Sequence, residues 1–204
     1  MLNTENIHRV CLPLLALMLT LGGCTPYATY PPVGQGEIAV PWMHPIPQVM
    51  GKALGDTYQR TSDSFVSAGT PADLVFALPE GITVGVWTRV GVDTGIENAR
   101  MITAEDVTNG TPIWSVEQVR IRNRRAEVDV IYPTPGGAYS RATVIFEADP
   151  FKAYKVSYFQ RWRTEVDNPL FSFPVDLPTE EEDGDGSDAV GASAENETPA
   201  AAAE

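Results

Sequence analysis

Cysteine and histidine are nearly missing from this chain. There are two of each in 204 residues: Cys11 and Cys24, His8 and His44. Cys11 and His8 belong to an amino-terminal stretch patterned for removal, which leaves Cys24 and His44. One cysteine and one histidine cannot build a disulfide or a His/Cys metal cluster. Long hydrophobic runs are missing too, and the mean hydropathy is −0.12. A multi-span membrane protein is therefore excluded, since each spanning helix takes about 20 apolar residues. Positive charge is scarce, with 14 Lys and Arg against 27 Asp and Glu and a formal charge of −13. That balance argues against nucleic acid as a partner. The sequence has no Gly-x-Ser-x-Gly elbow, no phosphate-cradling glycine loop and no His-Glu-x-x-His. No catalytic residues, no metal ligands and no cofactor are expected, and the domain reads as a non-enzyme.

What is present begins with an address. A short polar stretch to Arg9 leads into an apolar run of 12 residues, Val10 to Leu21. The run is too short to span a bilayer and fits the hydrophobic region of an export signal. Leu21-Gly22-Gly23-Cys24 follows it. This tetrad resembles the lipobox of bacterial lipoproteins: a leucine, two small residues that lie extended in a protease cleft, then the cysteine. The resemblance implies that residues 1–23 are removed and that Cys24 becomes the first mature residue. Its sulfur would carry a diacylglyceryl group, anchoring the protein in the membrane of a bacterial cell envelope. Two or three acyl chains hold firmly, at roughly 0.8 kcal/mol per buried CH₂. Thr25 stands where an Asp would favour retention in the inner membrane, so in a Gram-negative cell the resemblance points to the outer membrane.

Composition then divides the mature chain. Residues 25–48 hold six prolines, which remove donors and fix φ. The segment 24–46 is expected to be a tether with a reach of roughly 70 Å. At the other end, residues 176–204 carry ten acidic side chains and no basic one. Such a segment buries too little apolar surface to offset its ordering entropy and is expected to be a disordered acidic tail. Residues 25–175 then carry 16 acidic and 13 basic residues, close to neutrality. The globular domain is placed at 47–175.

Within that domain the expected class is α+β. One or two amino-terminal helices pack on a mostly antiparallel meander of about five strands. Val49, Met50, Ala53, Leu54 and Tyr58 recur at helical spacing over 47–60. Thr70, Pro71 and Asp73 read as the capped start of a second helix, with Leu74, Val75 and Leu78 inward. Ile82–Val90 alternates like a strand. Trp114–Asn123 and Arg125–Tyr132 form the best hairpin. A turn at Asn123-Arg124 sets Ile121 against Ala126 and Val119 against Val128 on the buried side. It also sets Arg120 against Glu127 and Gln118 against Asp129 on the other. Tyr139–Glu147 follows, then a turn at 149–152. The last strand, Tyr154–Arg163, is expected to put Tyr154, Val156, Tyr158 and Trp162 on one side. Helices followed by long hairpins resemble the NTF2-like fold over roughly 47–165, and that resemblance implies a pocket between helices and curved sheet.

Two sets of residues stand out. By strand parity Arg120, Arg122, Arg141, Lys155, Arg161 and Arg163 lie opposite the apolar face. They would form a shallow surface for an anionic ligand such as an envelope polymer or an acidic envelope protein, or a solvated face balanced by local carboxylates. Trp87, Trp114, Tyr132, Tyr154, Tyr158 and Trp162 would fill the core or line a small-ligand pocket. The primary expectation is an exported, membrane-anchored lipoprotein with a non-catalytic binding or envelope-structural domain. The alternative is an NTF2-like domain that binds or transforms a small ligand.

Overall fold

The computed structural model describes residues 26–34, 36–64, 73–150, 152–166 and 169–175. The export signal, Cys24, Thr70, Pro71 and the acidic tail lie outside these residues. Among the described residues no helix is long and apolar enough to cross a membrane.

The fold is α+β, and among the described residues its sheet has eight strands rather than about five and is mixed, with parallel pairings beside the antiparallel ones. The strands are β1 (Ala28–Tyr30), β2 (Glu37–Ile38), β3 (Val75–Ala77), β4 (Arg100–Met101), β5 (Ile113–Arg122), β6 (Arg125–Pro133), β7 (Tyr139–Glu147) and β8 (Lys155–Val166). Among the described residues the helices are α1 (Ile46–Thr61), α2 (Val84–Asp93) and α3 (Ala104–Thr108). The main path runs β2-β1-β5-β6-β7-β8. On the edge away from β6, β5 pairs with two strands of opposite direction. Its start runs parallel to β3, and its end runs antiparallel to β1.

The hairpin β5–β6 has the register read from its sequence: Ile121 opposite Ala126, Val119 opposite Val128, Arg120 opposite Glu127, Gln118 opposite Asp129. Asn123 sits at φ 54 in the turn, a left-handed conformation that Asn tolerates better than most residues. β7 also spans the expected residues, and Lys152 N–H closes the following turn on the Asp149 carbonyl at 3.1 Å.

Three expectations are corrected. Ile82–Val90 is not a strand: α2 starts at Val84 and buries Val86, Trp87 and Val90, a helical stripe. The second helix predicted from Thr70 does not extend over Leu74–Leu78, which holds β3, buried on both faces in the middle of the core. And residues 26–46 are not a free tether. Ala28–Tyr30 pairs with β5, the Tyr30 ring is buried, and its hydroxyl donates to the Glu80 carbonyl at 2.6 Å.

The core lies on one face of the sheet. Val116, Val119, Ala126, Val128, Val130, Ala142, Val144 and Phe146 are fully buried there, against Val49, Met50, Ala53 and Leu54 of α1. α2 crosses α1 where α1 carries Gly51 and Gly55. A Cβ on Gly51 would stand 2.6 Å from the Val90 carbonyl oxygen, and one on Gly55 would strike the Thr94 carbonyl oxygen. These glycines weaken α1 as an isolated helix by about 1 kcal/mol each, yet they allow the two backbones to touch. Beyond β8, residues 169–175 return to the molecule: Phe171 packs edge-on against Tyr139, and Val175 bridges to Thr83 at the start of α2.

Candidate functional site

Among the described residues no helix covers the opposite face of the sheet at β5, β6, β7 and β8, and it is polar where the covered face is apolar. Its ladders carry three register shifts, one of them between Ser140 and Ala142, and the other two set which side chains reach the groove. A bulge at Glu117 shifts β5 against β6, so that Trp114 and Val116 before it, and Val119 and Ile121 after it, all point to the core. A second bulge at Ser157 shifts β8 against β7. Val156 stays on the core side opposite Phe146. Tyr158, Gln160 and Trp162 then turn to the open face, beside Ile145 and Thr143. The expected common side for Tyr154, Val156, Tyr158 and Trp162 is therefore broken at Ser157.

At the centre stands Asp129, whose side chain is mostly buried. It accepts from Arg120 Nη1 at 2.6 Å and Nη2 at 3.0 Å, and from Thr143 Oγ1 at 2.6 Å. Thr143 Oγ1 in turn accepts from Trp162 Nε1 at 2.9 Å. Arg120 Nε reaches Glu127 at 3.3 Å, which also receives Arg125 Nε at 2.8 Å and the Tyr27 hydroxyl at 3.0 Å. Burial alone would raise the pKa of Glu127. The hydrogen bonds from Arg125 and Tyr27, with the charges of Arg120 and Arg125, outweigh burial and hold it below the usual carboxylate value. A chain of bonds thus crosses four strands, from Trp162 on β8 to Arg120 on β5. Around it opens a shallow groove of about 500 Å³, lined by the Arg120–Asp129 pair, Arg141, Thr143, Gln160 and Trp162.

The arginine set read from sequence is partly brought together. Arg120 and Arg141 share the groove, but each is paired, Arg141 with Glu117 at 2.6 Å. Arg122 lies beside it, its guanidinium over the Tyr27 ring at 5.3 Å. Lys155 is exposed opposite Glu147 on the ladder. Arg161 is on the helix side, because the Ser157 bulge reverses its parity. It donates to the Arg60 carbonyl at 3.0 Å and stacks on Phe159. Arg163 is exposed farther along β8. Within the groove Arg120 and Arg141 are thus held in ion pairs, while Arg122, Lys155 and Arg163 lie outside it.

The aromatic set is distributed over three places. Trp87 and Trp114 are fully buried, with Trp87 Nε1 donating to the Ile82 carbonyl at 3.1 Å and Trp114 Nε1 to Thr61 Oγ1 at 3.0 Å. Tyr132 and Tyr154 are buried near the rim of the core. Tyr158 and Trp162 are exposed on the open face. Together they do not enclose one pocket. Sequence reasoning did not single out Asp129 as the hub or Gln160, and the link of Thr143 to Trp162 depends on the bulge. Among the described residues no group of three or more His, Cys, Asp or Glu side chains is placed to hold a metal ion.

No family model matches the chain, and neither a curated protein nor a solved structure matches it.

Proposed function

We propose that this chain is an exported bacterial lipoprotein, anchored in the cell envelope through acyl chains on Cys24, whose domain is a non-catalytic binding module for an envelope glycan. In a Gram-negative cell the absence of Asp at position 25 favours the outer membrane. The anchoring part rests on Leu21-Gly22-Gly23-Cys24 behind the apolar run. The binding part rests on one observation: an exposed indole, Trp162, is fixed by its Thr143 bond beside the oriented Arg120–Asp129 pair in an open groove. A sugar chain offers what such a groove needs, an apolar ring face for the indole and hydroxyls that both donate and accept. A polyanion is the weaker fit, because Arg120, Arg125 and Arg141 already hold Asp129, Glu127 and Glu117.

The test is cosedimentation of the mature protein, with Cys24→Ser to keep it soluble, with purified insoluble envelope polymer. The wild-type groove should bring the protein down, and Trp162→Ala should weaken binding by about tenfold, or 1.4 kcal/mol. Wild type and Trp162→Ala remaining equally in the supernatant would refute the glycan reading. Capture of an envelope protein by the same groove, lost in Trp162→Ala, would replace the glycan by a protein partner.

A further inference from the structure

The segment between β1 and α1 carries a group of apolar side chains that the core does not use. Val33 is 59% exposed, Ile38 63%, Trp42 63% and Met43 57%. Ile46 and Val49 are buried, but Trp42 and Met43 face outward.

The four exposed residues flank β2 or lie on it, in a stretch whose described residues are tied to one sheet edge. Val33 N–H donates to Thr29 Oγ1 at 3.2 Å, and Ala39 N–H to the Thr29 carbonyl at 3.0 Å. Met43 N–H closes a turn on the Val40 carbonyl at 3.0 Å. The segment 33–43 holds one charged residue, Glu37, and no Lys or Arg. A surface of this kind gains nothing from anionic headgroups and acts by inserting apolar side chains, with Trp suited to the interface.

The position of Cys24 says what lies against it. Only Thr25, Pro26 and Tyr27 separate Cys24 from β1. Fully extended, that span reaches ~14 Å. A lipid on Cys24 therefore leaves the edge strands no room to stand clear of the bilayer. We infer that the β1–β2 edge, with Val33, Ile38, Trp42 and Met43, is a membrane-docking surface that rests on the bilayer holding the Cys24 lipid. This inference rests on the lipid-anchor reading. It assigns the domain an orientation that the anchor alone does not, with the first residues of the chain toward lipid.

Full-length protein, purified in detergent from a bacterial membrane fraction, is reconstituted into phosphatidylethanolamine–phosphatidylglycerol vesicles with brominated acyl chains. Trp87 and Trp114 are buried and shielded from the quencher. The brominated lipid should quench part of the wild-type emission, and Trp42→Phe should lose most of that quenching. Equal quenching in wild type and Trp42→Phe overturns the docking surface. So does a dimer, seen by sedimentation in detergent, that Trp42→Ser abolishes, since the patch would then belong to a second copy. The intact mass of the same sample separates the two readings. An acylated mass without Trp42 quenching leaves the anchor and overturns the docking. An unacylated mass with Trp42 quenching overturns the anchor and leaves the surface.

Discussion

Asp106 shows how much one carboxylate can organise. It caps α3 by accepting from Thr103 N–H at 2.9 Å and Thr103 Oγ1 at 2.7 Å, and it takes a forked ion pair from Arg100 on β4, Nη1 at 2.7 Å. The Arg100 hydrogen bonds first, then those from Thr103, overcome burial and hold its pKa well below the usual carboxylate range. The sign follows from linkage. A carboxylate more acidic when folded contributes stability that is complete above its unfolded pKa of about 4 and is lost as pH falls below it. Asp106→Asn should lower stability at pH 7 by about 1 kcal/mol. The gap from wild type should shrink between roughly pH 4 and pH 2. Urea titrations at stepped pH read both, and a gap independent of pH would show that the ion pair contributes nothing.

At the scale of elements, the glycines of α1 make a sharp comparison. Gly55→Ala adds a Cβ against the Thr94 carbonyl, where backbone must move. The helix-propensity gain of about 1 kcal/mol is smaller than an overpacking cost of about 1–3 kcal/mol, so net destabilisation is expected. Gly85→Ala, on the exposed side of α2 with nothing near its Cβ, should instead stabilise by about 0.5 kcal/mol. Opposite shifts of the urea midpoint check the pair. The same glycines show what could be read from sequence and what could not. The β5–β6 hairpin was legible because apolar and charged positions agreed on a single register. α2 was not, because its β-branched residues favour strands locally and its burial depends on α1 coming close, a tertiary fact. β3 was misread because a strand buried on both faces has no alternation to detect. In the site, Arg120 and its carboxylate partners were legible from strand parity. Trp162 was not, because a bulge at Ser157 leaves no mark in composition.

For the whole molecule, β1 is the informative case. The prolines around it suggested a tether, and proline does interrupt a ladder, but a proline-free strand of three residues fits between Pro26 and Pro31, paired with β2 on one side and β5 on the other. Its partners lie at the far end of β5: Ala28 pairs with Ile121, and Tyr30 with Val119. The consequence concerns the order of assembly. A chain emerging amino terminus first presents β1 long before β5 exists, and closing so large a loop is entropically slow. The hairpins β5–β6 and β6–β7 join neighbours in the chain and form without waiting. The segment next to Cys24 is then the last to lock, after the rest of the sheet has been built. Amide hydrogens of Ala28–Tyr30 should exchange faster than those of β6, and truncation before Pro32 should leave β5 to β8 paired, with a lower urea midpoint. Equal protection across β1 and β6 would make the sheet a single cooperative unit. Otherwise the hairpins come first and β1, at the start of the described chain, is the closing seam.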